Sequence, residues 1–260
     1  MKSINTKLDL QSISYSYEID DHFRINDLSI EIPENSITTI IGKNGSGKTT
    51  LLLLMMGYLK PSSGIIRFRD NEKYLPIEQT AGKIAFLPQN EIVSFKFTVN
   101  DFLLLGRIPF IGNISQPTIE DYLKVEEIKK ELDIVQLGKK KLEQISGGEL
   151  QRVRIGRALV QEADMLIFDE PITHLDIGAK LKIFHLMNKL KEQGKTILFS
   201  SHDPLEAFQI ADNSILIERN KEIIFGSTNE VLDDDNLSSC LGTSIKYGSF
   251  EGQKFLILEK

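Results

Sequence analysis

Tryptophan is missing from this 260-residue sequence, and cysteine appears once, at Cys240. One cysteine cannot close a disulfide within the chain, and a reducing compartment fits. The expectation for Cys240 is a small hydrophobe near the C-terminus. Long apolar runs are missing too. The longest, "LLLLMMGYL", is far short of the ~20 residues that span a bilayer. The opening "MKSINTKLDL" lacks the apolar region of a secretory signal. Any work at a membrane is therefore expected of a peripheral subunit. Positive charge is also scarce: 31 Lys and Arg face 37 Asp and Glu, a net of -6. With no basic block, a nucleic-acid partner is disfavoured. Fixed-period repeats and low-complexity tracts are absent as well.

What is present suits a folded domain. Hydrophobic residues make up 41%, too many for a disordered chain. The length suits one large α/β domain, or one core carrying a smaller subdomain. "LDLQSISYSY", "FRINDLSIEI" and "GIIRFRD" alternate partially and read as strands. "SITTIIG" is a β-branched run ending in glycine, as in a buried parallel strand. A helix is expected from Lys48 to Tyr58, with Pro61 as its stop. "KIAFLPQ", "DMLIFDE" and "KTILFSS" read as further strands. Thr98 to about Gln161 turns helical, and "IGAKLKIFHLMNKLKEQG" is helical again. Strands alternating with helices imply a parallel sheet. The helical stretch in the middle reads as an inserted subdomain.

Gly42 to Thr49 matches G-x-x-x-x-G-K-[ST] without a gap. Its spacing has a chemical reason. Consecutive backbone N–H groups must turn toward one set of phosphate oxygens, and glycines permit the curvature and the close approach. Lys48 can reach the β- and γ-phosphates, and the Thr49 hydroxyl can bind Mg²⁺. The apolar helix behind the loop anchors it and points its positive end at the anion. The ATP-binding candidates are Gly42, Lys43, Asn44, Gly45, Ser46, Gly47, Lys48, Thr49 and Thr50.

"MLIFDEP" puts Asp169 and Glu170 at the end of an apolar strand. Ligands of open parallel sheets lie beyond such strand ends. There Asp169 can hold Mg²⁺, and Glu170 can orient or deprotonate an attacking water. In "ISGGELQRVRIGRAL", Ser146 and Glu149 form S-x-x-E, a capping box at a helix start.

The ordered set "GKNGSGKT", "LPQ", "ISGGELQRV", "MLIFDEP", "HLD" and "SSHD" resembles the ATP-binding subunits of ABC transporters, from about Leu8 to Gly242. The resemblance implies a P-loop NTPase core of α/β class. It also implies an N-terminal antiparallel β subdomain and a helical subdomain near 97–160, with 243–260 as a C-terminal extension of unknown role. Tyr17 is then the candidate to stack on adenine, with Tyr15 as the alternative on the same strand face. Gln89 would meet Mg²⁺ and the attacking water. Ser146, Gly147, Gly148 and Glu149 would be the signature facing ATP on a partner subunit. Asp176 would link the two sites, and His202 would contact the γ-phosphate. Glu149 departs from the family's usual glutamine, and Lys43 from its frequent proline.

The chain carries one phosphate loop and one signature, so the resemblance implies a homodimer with ATP at the interface. It further implies transmembrane permease subunits, an extracytoplasmic solute-binding protein, and a place on the cytoplasmic face of the membrane. "GRIPF", Gly106 to Phe110, resembles the ATPases of importers for iron-siderophores, haem and cobalamin. The same glycine and proline would equally serve to end a helix and turn the chain. ATPases of zinc, manganese and other ABC transporters are similar, and a soluble ABC ATPase acting in translation or repair is the alternative outside transport.

Overall fold

A computed structural model describes residues 5–17, 24–89, 91, 96–111, 116–173, 175–219, 221–250 and 253–258. The chain runs β1 (Thr6–Ser16), β2 (Arg24–Pro33), β3 (Ile37–Ile41), α1 (Lys48–Met55), β4 (Ser63–Asp70) and β5 (Lys73–Pro76). Next come β6 (Ile84–Leu87), α2 (Val99–Leu104), α3 (Ile119–Glu131), α4 (Gly147–Leu159), β7 (Met165–Phe168) and α5 (Ile177–Glu192). It ends with β8 (Thr196–Ser201), α6 (Pro204–Ile210), β9 (Asn213–Leu216), β10 (Ile224–Ser227), α7 (Thr228–Val231), α8 (Asp234–Leu241), β11 (Ile245–Phe250) and β12 (Gln253–Leu258). The chain divides into two compact units, Met1–Thr80 with Met187–Lys260, and Ala81–Leu186.

In the first unit, β2-β1-β4-β5 form an antiparallel sheet. Along β2, Ile25, Leu28, Ile30 and Ile32 are buried, whereas Ser29 and Glu31 face solvent. That is the alternation of a sheet with one covered face. A second set of strands runs β10-β9-β3-β8. Here β3 is buried along its whole length and lies parallel to both β8 and β9. A strand covered on both faces has no polar side to show, hence the unbroken apolar and β-branched run. Behind its C-terminal end, Ile41, Ala207, Leu216, Val231, Leu232, Leu237 and Cys240 form one apolar cluster. Cys240 is a buried free thiol, and burial pushes its pKa up.

Helix α1 stops at Met55, short of the expected Tyr58. Gly57 takes a left-handed φ of 74°, and the Tyr58 N–H turns back to the Leu53 carbonyl. A glycine in that conformation ends the helix before any proline is needed. The C-terminal segment, which carries no motif, forms the antiparallel hairpin β11–β12. Gly248 lies opposite Phe255, and a side chain there would overlap the Phe255 ring.

In the second unit, β6 and β7 pair in parallel, and α2, α3 and α4 supply the helical part. All three helices begin with the same device. Thr98 with Asp101, Thr118 with Asp121, and Ser146 with Glu149 form reciprocal capping boxes. Each satisfies two backbone donors that a helix start would otherwise leave open. Gly156 lets α4 approach closely: a Cβ there would come within 2.9 Å of both Leu103 and Leu132.

Candidate functional site

The candidate residues divide between the units: Tyr17, Gly42 to Thr50 and His202 in the first, the rest in the second. The phosphate loop follows β3 directly. Gly45 and Gly47 adopt φ of 76° and 106°, open only to residues without a Cβ clash. Gly42 is required for closeness instead, since a Cβ there would overlap the Ile217 carbonyl. Lys48 is buried. Its ammonium donates to the carbonyls of Gly42 (2.8 Å) and Lys43 (3.2 Å). The loop thus holds its own cation inside the ring. Ser46 is buried with no hydrogen-bond partner for its hydroxyl, an orphan polar atom that a phosphate oxygen would satisfy. Lys43, Asn44 and Thr49 are exposed. The Tyr17 hydroxyl lies 3.0 Å from that of Thr50 on α1. Tyr15 meets Tyr17 edge-on, ring centroids 5.1 Å apart. Both share one face, and Tyr17 is the one tied to α1.

In the second unit, Asp169 and Glu170 follow β7 and are both buried. Glu170 has a φ of 49°, uncommon for a residue other than glycine, asparagine or aspartate. Its carboxylate oxygen Oε2 accepts from Gln89 Nε2 at 2.9 Å and from Thr173 Oγ1 at 3.2 Å. Gln89, which follows β6, therefore turns its amide nitrogen to Glu170. Its amide oxygen is left as the end that could meet a cation. Thr49 offers a hydroxyl, Gln89 an amide oxygen and Asp169 a carboxylate. These hard oxygen donors suit Mg²⁺, which takes few protein ligands and fills its shell with phosphate and water. Among the described residues no cluster of three His, Cys, Asp or Glu could hold a metal.

The signature opens α4. Glu149 Oε2 accepts from the Ser146 N–H (2.8 Å) and hydroxyl (2.9 Å). The backbone bond from Ser146 holds the Glu149 carboxyl below the usual glutamate range. Gly147 and Gly148 have open space where a Cβ would stand, so their small size serves no packing within the described chain. Asp176 accepts from the Ala179 N–H at 2.8 Å and caps α5. His202 is exposed between β8 and α6, whose first turn is capped by Asp203.

Gly106 and Arg107 of "GRIPF" have internal duties. A Cβ at Gly106 would overlap the Arg157 carbonyl. Arg107 pairs with Asp121 (2.8 Å) and Glu162 (2.7 Å) and lies over the Phe110 ring. Ile108, Pro109 and Phe110 are exposed. Thr173 was not singled out by sequence reasoning. It lies inside "DEPITHLD", but only its contact with Glu170 marks it.

A family model described as ABC transporter matches residues 25–173. The iron(3+)-hydroxamate import ATP-binding protein FhuC of Bacillus subtilis is 32% identical over 219 residues, 84% of this chain and 81% of that protein. The manganese transport system ATP-binding protein MntB of Listeria innocua is 31% identical over 237 residues, 90% of this chain and 96% of that protein. A solved structure described as an inward-facing conformation of a putative metal-chelate type ABC transporter matches with a TM-score of 0.87 at 25% identity. It covers 98% of both chains.

Proposed function

The chain belongs to the ABC transporter family as an ATP-binding ATPase subunit, and on that premise we propose that it drives uptake of an iron chelate or cobalamin. ATP lies against Tyr17 through its adenine and in the loop from Gly42 to Thr50 through its phosphates. Water attacks the γ-phosphorus, the bond to the ADP oxygen breaks, and Glu170 takes the water's proton. Gln89 orients that water beside Glu170, and His202 donates to the γ-phosphate. Thr49, Gln89 and Asp169 would hold Mg²⁺, which supplies neutralisation of phosphate charge. Positioning and fixed charge do most of the work. Ser146, Gly147, Gly148 and Glu149 face the ATP of a second, identical chain, and Asp176 links the two sites. The unhindered glycines of that helix start support this reading.

The cargo reading is carried by the solved metal-chelate type transporter, which this chain matches along nearly its whole length. The permease and an extracytoplasmic binding protein complete the transporter, with this subunit on the cytoplasmic membrane face. No helix among the described residues is long and apolar enough to cross a membrane. Manganese is the second reading, favoured by the similarity to MntB. The test is a deletion strain assayed for uptake of labelled ferric siderophore, haem, cobalamin, zinc and manganese. Loss of one of the three large chelates is expected. Normal uptake of all three with loss of manganese would transfer the assignment to the metal ion.

A further inference from the structure

A closed ring of contacts surrounds the Gln89–Glu170 pair, and two of its members, Arg154 and Gln151, have no role in the reading above. Arg154 Nη2 donates to the carbonyls of Pro88 (2.7 Å) and Gln89 (3.3 Å). Its Nη1 donates to Gln151 Oε1 at 3.0 Å. Gln151 Nε2 in turn donates to the carbonyl of Pro171 at 2.6 Å, the residue after Glu170. The ring closes through Gln89 Nε2 on Glu170 Oε2. Gln151 and Arg154 stand three apart on α4, so they share one helix face. The Arg154 side chain is only 13% exposed, with the Glu91 carboxylate 3.7 Å from its Nε. Glu91 also pairs with Arg157 at 3.0 Å. The segment carrying Gln89 is thus tied to α4 at Pro88, Gln89 and Glu91.

We propose that Arg154 and Gln151 are positioning residues for ATP hydrolysis, which fix the backbone on both sides of the Gln89–Glu170 pair and so hold its hydrogen bond. The inference rests on the reading of Glu170 as base. A guanidinium suits the task because its planar fork serves several acceptors at once. A lysine keeps the charge but cannot span the Pro88 carbonyl and Gln151 together. Nothing in Arg154 need touch nucleotide. Its effect should pass through Gln89, and that separates positioning from general support of the fold.

The experiment measures ATP turnover by the purified full chain for wild type, Glu170→Gln, Arg154→Lys, Gln89→Ala and the double variant Arg154→Lys/Gln89→Ala. Glu170→Gln tests the underlying reading. If it turns over normally, that reading falls and this inference with it. Given an inactive Glu170→Gln, Arg154→Lys should lower kcat about tenfold while KM for ATP changes less than about twofold, the split expected when only a transition-state arrangement is lost. In the Gln89→Ala background the same substitution should change kcat by less than about twofold, since residues acting through one contact are not additive. Normal kcat in Arg154→Lys overturns the proposal. So does an equal loss in both backgrounds, which would mark a purely structural residue. Should Arg154→Lys not fold, Gln151→Ala in the same two backgrounds gives the same contrast, because it frees the Pro171 carbonyl and leaves the arginine in place.

Discussion

The phosphate loop gathers its groups from one continuous stretch, Gly42 to Thr49, whereas the Gln89–Glu170 pair joins side chains 81 positions apart. The loop is mostly backbone. Two left-handed glycines turn it, and Lys48 bonds to carbonyls five and six residues behind it. The pair is all side chain, held by contacts arriving from β6, α4 and the turn after β7. A local device depends on residue type at fixed spacing. A non-local one depends on the packing of several elements, and damage to it should spare binding while it removes turnover.

Substitutions can break that contrast. The largest effect is expected for Glu170→Gln, with turnover down about 100-fold or more. Nucleotide binding should survive, and gel filtration with ATP should show a trapped dimer. Turnover within a few-fold of wild type would leave the pair without its catalytic role. Lys48→Ala should act on the other side of the contrast. Removing charge-assisted bonds to phosphate should weaken binding about 10- to 100-fold, read by titration with a fluorescent ATP analogue. Equal affinity in mutant and wild type would mean that the loop is not the nucleotide site.

A smaller effect tests whether loop and signature are shared between chains. Mixing Ser146→Arg with Lys48→Ala chains should restore partial activity, because a heterodimer keeps one undamaged pairing of loop and signature. A mixture no more active than either parent would count against sharing. Thr173→Val removes a donor to Glu170 Oε2. A single hydrogen bond of about 1 kcal/mol predicts a loss of roughly fivefold in kcat. Thr173→Ser should recover it, and failure to do so would make the role one of shape rather than donation.

The last test concerns stability. The Arg107 guanidinium, with the Thr118 backbone N–H, holds the Asp121 carboxyl below the usual aspartate range. The folded state therefore binds this proton less readily than the unfolded state. Its contribution is present above the unfolded pKa of about 3.9 and drains away as pH falls through the lower folded value. Asp121→Asn should lower Tm at neutral pH and flatten that part of the acid limb. An unchanged acid limb would show that the pair does not couple to folding.

Much of the local architecture was legible. The buried β3, the start of α1 and the capping box of Ser146 and Glu149 follow from runs and spacings of a few residues. The end of α1 was misplaced because Gly57 acts through its conformation, and a glycine in a helical pattern does not announce one. The antiparallel pairing of β11 with β12 was missed because neither strand carries a long alternating run. The GRIPF stretch reads as one motif, yet its residues have separate duties. Gly106 makes room for the Arg157 carbonyl, Arg107 is buried in ion pairs, and the next three residues are exposed.

By itself, the sequence determined the form of the loop from Gly42 to Thr49, because glycines and a lysine in a fixed order along one turn are enough to shape its backbone. It determined the family for the same reason: each motif is short and the motifs follow a set order. Only the tertiary structure decided how the Gln89–Glu170 pair is held. Gln89, Gln151, Arg154 and Thr173 meet there through parallel pairing of β6 with β7 and the lie of α4 against them. Hydrogen bonds among them depend on positions within a few tenths of an ångström, and spacing along a chain carries no such information.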